Sequence, residues 1–96
     1  MAAKLIVRER VLYDDGYLVE ILIWQVPKPV PPTDHSFKYS LFYGREGERI
    51  VGYDNERGKG DHRHYKKVEK PYVFSTIAAL LDDFLRDVAA ERKGRK

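Results

Sequence analysis

The sequence predicts an α+β fold, a curved antiparallel β-sheet of four to five strands covered by one C-terminal α-helix. Three observations carry that expectation. Two long runs rich in β-branched and apolar residues flank Asp14-Asp15-Gly16, a third run places Phe37, Tyr39, Leu41 and Tyr43 on one face against Lys38, Ser40 and Phe42 on the other, and Ile77, Leu80, Leu81, Phe84, Leu85 and Val88 recur at the spacing of one helical face.

Each element follows from local chemistry. Lys4 to Tyr13 and Tyr17 to Val26 form a hairpin whose turn uses Gly16, because glycine takes positive φ at little cost. The second strand is apolar on both faces and reads as central, with Trp24 in the core. Pro27-Lys28-Pro29-Val30-Pro31-Pro32 lacks backbone donors at its prolines, so it ends the strand and acts as a stiff connector. The third strand, Phe37 to Tyr43, turns at Gly44 to Glu48 into a fourth, Arg49 to Asp54. Lys66 to Phe74 forms a fifth that Pro71 confines to an edge or breaks. Ser75 or Thr76 caps the helix, whose polar side is Asp82, Asp83, Arg86 and Asp87.

Length and composition bound the function. With 96 residues the chain suits a single domain spanning 1–96, and 91–96 reads as a basic tail that is a candidate for disorder. The lack of cysteine excludes disulfide frameworks and thiolate zinc sites. No stretch has the length of a signal peptide's apolar core or a membrane helix, so a cytoplasmic location without a membrane partner is expected. The net charge is +3, but the cations concentrate in Arg57 to Lys70 and Glu91 to Lys96, which leaves an acidic body. Two basic segments on an acidic body suit an anionic partner, of which nucleic acid is the commonest.

The segment from Tyr53 to Lys67 carries the chemistry. In an extended backbone His62 and His64 point to one face, while Asp61, Arg63 and Tyr65 point to the other. Paired imidazoles can divide the general-base and general-acid roles of RNA cleavage by its own 2′-hydroxyl. A cation is then needed on the developing phosphorane, and no metal or other cofactor is required. Three other readings stay open. A His-x-His metal site could be completed by Asp61, Asp54 or His35; the segment could be a mobile polar loop facing water; or Gly58 and Gly60 could expose backbone amides to a phosphate that is bound and not cut.

The strand ending in Tyr53-Asp54-Asn55, the glycine-containing loop, His62-Arg63-His64 and the helix Phe74-Ser75-Thr76-Ile77-Ala78-Ala79-Leu80-Leu81-Asp82-Asp83-Phe84 together resemble the TumE-like toxin family of prokaryotic toxin-antitoxin modules. The resemblance spans most of the chain. In the family the Tyr-Asp-Asn is followed by a stretch similar to His-His-Lys-His; here Asp61 replaces one histidine and Arg63 is the cation, so His62, His64 and Asp54 carry over. The resemblance implies a toxin neutralised by direct contact with a cognate DNA-binding antitoxin.

The favoured function is therefore a toxin acting on RNA as a metal-independent endoribonuclease. His62 and His64 are assigned to proton transfer, Asp54 to orienting an imidazole, and Arg63 to phosphate charge as part of the catalytic set. Arg57, Lys59, Lys66, Lys67, Tyr65 and Asn55 are the candidate nucleic-acid contacts. RNA and the antitoxin are the expected partners, with a homodimer as a further option. The alternative is a non-catalytic nucleic-acid- or ribosome-binding module, or a His-x-His metal-binding protein.

Overall fold

A computed structural model describes residues 2–56 and 58–94. Six antiparallel strands, β1 (Lys4–Leu12), β2 (Leu18–Gln25), β3 (Phe37–Arg45), β4 (Glu48–Glu56), β5 (Gly60–Tyr65) and β6 (Val68–Pro71), lie in chain order as an open meander. Helix α1 (Ile77–Lys93) follows and packs on one face. The α+β class and the single C-terminal helix are as expected, but the sheet has six strands and not four to five. The extra strand is Gly60–Tyr65 of the mixed-chemistry segment, which pairs as β5 and is not a free loop. Its polar side chains find partners on both faces of the sheet, so alternation survives without an apolar pattern to announce it. Lys66 adopts a positive φ of 57° and lets the chain reverse at once into β6, where Pro71 sits at the end of the edge strand.

The core lies between one sheet face and the helix. Tyr17, Val19, Ile21 and Ile23 of β2 and its entry turn, Tyr39, Leu41 and Tyr43 of β3, and Val51 and Tyr53 of β4 are buried with Leu80, Phe84 and Val88 of the helix. Thr76 caps the helix by accepting a hydrogen bond from the Ala79 amide at 3.0 Å. Two expectations are corrected here. Leu85 is 48% exposed, because the helical face turned to the sheet runs through 80, 84 and 88, and Trp24 lies half-buried on the sheet face opposite the helix.

Beside that apolar stripe runs an acidic one at i, i+4 spacing, and it faces the sheet instead of water. Tyr72 donates to Asp83 at 2.5 Å, Tyr53 to Asp87 at 2.5 Å, and Tyr65 to Glu91 at 2.7 Å. Arg63 Nε donates to the same Asp87 oxygen at 2.8 Å. Asp83 and Asp87, expected on the solvent side, are thus the helix's polar anchors, because tyrosine hydroxyls reach past the apolar layer. The hydrogen bond to Glu91, more than burial, pushes the Tyr65 phenol up to about 12. Arg92 adds a third kind of contact, lying 3.6 Å above the Tyr13 ring and donating to the Tyr43 hydroxyl and Asp15. Glu91 to Lys93 therefore belong to the helix and not to a free tail; Arg95 and Lys96 lie outside the described residues.

The connector between β2 and β3 folds against the start of β5. Gly58 N–H donates to the Pro31 carbonyl, and Asp61 accepts from the Thr33 hydroxyl at 2.6 Å, from the Tyr39 hydroxyl at 2.7 Å and from His35 Nε2 at 2.6 Å. The Phe37 amide donates to His35 Nδ1, so the proton of this imidazole is on Nε2, and Phe74 covers the ring at 3.9 Å between centroids. Burial alone would raise the Asp61 carboxyl, but the three hydrogen bonds outweigh it and hold the group below its usual range.

Two measurements test this account. Asp87→Ala removes the acceptor of the Tyr53 hydroxyl and the carboxylate partner of Arg63, and should cost about 1–3 kcal/mol in urea unfolding. Because the carboxyl of folded Asp61 titrates below its unfolded value, its contribution is complete above the unfolded value and lost as pH falls through the folded one. Asp61→Asn should accordingly flatten the acid limb of the stability profile relative to wild type, and an unchanged limb would refute the assignment.

Candidate functional site

Cross-strand pairing of β4 with β5 sets Asp54 opposite His62 and Gly52 opposite His64. All four positions belong to the sheet face away from the helix, while Tyr53, Arg63 and Tyr65 take the other. His62 and His64 point the same way, as their i, i+2 spacing requires, with ring centroids 4.8 Å apart and planes at 77°. They are only 5% and 9% exposed, so these imidazoles are not dangling in solvent.

The orientation of His62 is set by the backbone. Its Nδ1 lies 3.0 Å from the Gly60 carbonyl, which can only accept, so Nδ1 carries a proton and Nε2 faces Asp54. Nε2 and Asp54 Oδ1 are in close contact, and Glu69 Oε2 is 3.5 Å from the same nitrogen. Oδ1 is buried and, despite that contact, accepts no hydrogen bond of good geometry.

His64 is held differently. Arg49 Nη2 lies 2.9 Å from His64 Nδ1, and a guanidinium can only donate, so this ring is neutral with its lone pair on Nδ1. Burial first, and then the Arg49 charge, lower its proton affinity below the ordinary imidazole value. Arg49 also approaches Asp54 Oδ2 at 3.9 Å.

Two backbone features bring Arg49 there. The β3–β4 register shifts between Tyr43 and Gly44, leaving Ile50 as an extra residue, and this bulge turns Arg49 onto the imidazole face when simple alternation would point it at the helix. Gly52 then makes room, since a Cβ at that position would fall 2.7 Å from Arg49 Cδ. Sequence reading did not single out Arg49 or Glu69. A glycine inside an otherwise bulky strand was the available signal, because it marks a close approach.

The other expected site residues divide between the two faces. Lys59 borders, with Asp61, His62, Glu69, Lys70 and Pro71, an open cavity of about 390 Å³ beside His62, at the start of β5 and the end of β6. On the other side of Asp54 a second cavity of about 220 Å³ is lined by Trp24, Lys38 and Ser40. Arg63, Tyr65 and Lys66 gather instead in a basic depression of about 410 Å³ on the helix-facing side of the β5–β6 hairpin. The sheet separates Arg63 from the imidazoles. Lys67 is exposed in that hairpin's turn, and Arg57 lies outside the described residues. Asn55 is a strand fastener: its side chain accepts from the Tyr39 amide at 2.9 Å and donates to the Phe37 carbonyl at 2.7 Å, extending the β3–β4 pairing beyond its last backbone partners. Of the groups considered for completing a metal site, Asp54 is beside the histidines, whereas Asp61 and His35 are bound to each other elsewhere.

No helix among the described residues is long and apolar enough to cross a membrane. No curated protein and no solved structure matches the chain. The family described as Toxin TumE matches residues 2–92, nearly the whole chain, including every element that builds the imidazole face. The protein belongs to the TumE toxin family, whose toxin role implies an antitoxin partner.

Proposed function

We propose that this toxin acts on RNA as an endoribonuclease whose imidazole face transfers protons without a metal. The observation that supports it is the placement of two differently held histidines, His62 against a carboxylate and His64 against a guanidinium, on one face of a rigid sheet. In this reading Arg49 turns from His64 to the scissile phosphate and neutralises the developing charge. The released Nδ1 of His64 accepts the 2′-hydroxyl proton, and His62, protonated at Nε2 beside Asp54, donates that proton to the leaving 5′-oxygen. The bond broken is P–O5′ and the bond formed is O2′–P, so a cyclic phosphate and a free 5′-hydroxyl result. Lys59, which borders the cavity beside His62, holds a flanking phosphate. Arg49 takes the part first given to Arg63, which is committed to Asp87 on the opposite face. The cognate antitoxin is expected to bind DNA and to silence the toxin by contact.

A second reading is binding of RNA or the ribosome without cleavage. The near burial of both imidazoles favours it, as does the basic depression around Arg63, Tyr65 and Lys66. Lys67, a cation of the β5–β6 turn, and Asn55, a strand fastener, keep only a supporting place in either reading, and Arg57 remains a proposed phosphate contact.

Incubation of the purified chain with total RNA in EDTA should give fragments ending in cyclic phosphate; intact RNA that is cut only after a divalent ion is added would overturn the metal-free mechanism. His62→Gln and His64→Gln should each lower cleavage by about 100-fold or more while RNA binding persists. Equal loss of binding would favour the second reading. Gly52→Ala should displace Arg49 and cut activity with little change in the melting temperature, whereas full activity would remove Arg49 from the mechanism. Binding in either reading should weaken with salt, and the log–log slope should shrink by about 0.7 when Lys59 is neutralised, if that lysine meets a single-stranded phosphate.

A further inference from the structure

We infer that the imidazole face also binds a divalent transition-metal cation of the Zn²⁺ or Co²⁺ class, through Asp54 Oδ1, His62 Nε2 and His64 Nδ1, with Glu69 as the fourth ligand. One ligand atom from each of Asp54, His62 and His64 lies within 4.8 Å of the others. Proximity alone would be a weak argument, since carboxylates and imidazoles meet for many reasons. Three independent features point to a cation.

The first is the fixed tautomer of His62. Its Nδ1 proton goes to the Gly60 carbonyl, the outer partner that commonly aims an imidazole's other nitrogen at a metal. The second is what that nitrogen meets. Nε2 faces Asp54 Oδ1, a buried oxygen with no well-placed hydrogen-bond donor, so in the form of His62 that lacks a proton on Nε2 two electron-rich atoms confront each other where a cation would satisfy both. The third is Glu69, on the neighbouring edge strand, whose carboxylate spans the pair at 3.5 Å from His62 Nε2 and 3.9 Å from His64 Nδ1. Two nitrogens and two carboxylates suit Zn²⁺ or Co²⁺ better than Mg²⁺ or Ca²⁺, which prefer oxygen throughout.

Geometry sets the movement required. Ligands on a tetrahedral ion of this size sit about 3.3 Å apart, so the Asp54 carboxylate must turn slightly away from Nε2 while Glu69, 46% exposed, closes in. Arg49 must also leave. Its guanidinium now occupies the His64 lone pair, and with 42% of its side chain exposed it is free to swing into solvent. Arginine and metal are therefore competitors for one site. The inference goes beyond RNA cleavage, and only its consequence rests on that reading: a bound ion ties up the lone pairs that proton transfer needs and silences the toxin.

The test is titration of the metal-stripped full chain with Co²⁺, followed by its visible absorption. The expected result is one saturable equivalent with the intense bands of a four-coordinate site. Asp54→Asn and His64→Gln should each weaken uptake by about 100-fold or more, the upper end of what loss of an outer-sphere partner alone costs. Arg49→Gln should tighten it several-fold, an effect that a nonspecific surface carboxylate site would not show. Zn²⁺ added to the wild-type chain should shift the ring resonances of His62 and His64 and leave those of His35 in place, a measurement that does not depend on any variant folding. No saturable uptake, uptake indifferent to Asp54→Asn and His64→Gln, unaltered affinity in Arg49→Gln, or ring shifts confined to His35 would each overturn the proposal. RNA cleavage separates the two readings: inhibition by Zn²⁺ supports both, and activation by Zn²⁺ upholds the site while ending the metal-free mechanism.

Discussion

The antiparallel register of β4 against β5 is the constraint on which the rest depends. With Asp54 opposite His62 and Gly52 opposite His64, alternate residues of the two strands are sent to different tasks. Tyr53, Arg63 and Tyr65 reach the helix, while Asp54, His62 and His64 share the open face. A slip of one residue would bring imidazoles against the helix's acids and strip the open face of its chemistry, because side chains in a strand repeat every two positions. The register is held where apolar burial alone would not hold it, by the tyrosine and arginine contacts to Asp83, Asp87 and Glu91.

Those contacts connect stability to the site without placing the same residues in both. Arg63 is an example. It lies between the two histidines in sequence, yet its hydrogen bonds to Asp87 and the Tyr53 hydroxyl and its stacking on the Tyr65 ring at 4.8 Å make it an anchor for the helix. Asp61 plays a comparable part at the other end of β5, where Thr33, His35 and Tyr39 converge on its carboxylate and fasten the proline-rich connector. Strand β5 is thus fixed on its helix-facing side by Asp61, Arg63 and Tyr65, and this rigidity keeps the opposite side chains in place.

The imidazole face itself is a set of competing cations around a small number of lone pairs. The Arg49 guanidinium occupies the space between Asp54, His62, His64 and Glu69, and in the proposals made above a proton and a divalent ion compete with it there. Which one does so decides the chemistry. Arg49 reaches this position only because the bulge at Ile50 turns it over and because Gly52 offers no side chain to block it. Both features weaken a strand locally, and both are concentrated where the site is built.

Much of this was legible in the chain. The first hairpin, the proline connector, the alternating third strand and the C-terminal helix follow from periodicity and turn residues, and the shared face of His62 and His64 follows from their spacing. Tyr53-Asp54-Asn55, the glycine-containing loop, His62-Arg63-His64 and the helix from Phe74 to Phe84 together suggested the family. Sequence did not reveal that a polar, charged segment would be a strand, since its partners come from the helix and from the connector, both distant along the chain. Nor did it reveal Arg49 and Glu69, because a bulge changes the parity of a strand and an edge pairing brings in a fresh carboxylate, and neither leaves a periodic trace. Local sequence determines which residues alternate; only tertiary pairing decides which side of the sheet each set meets and what waits for it there.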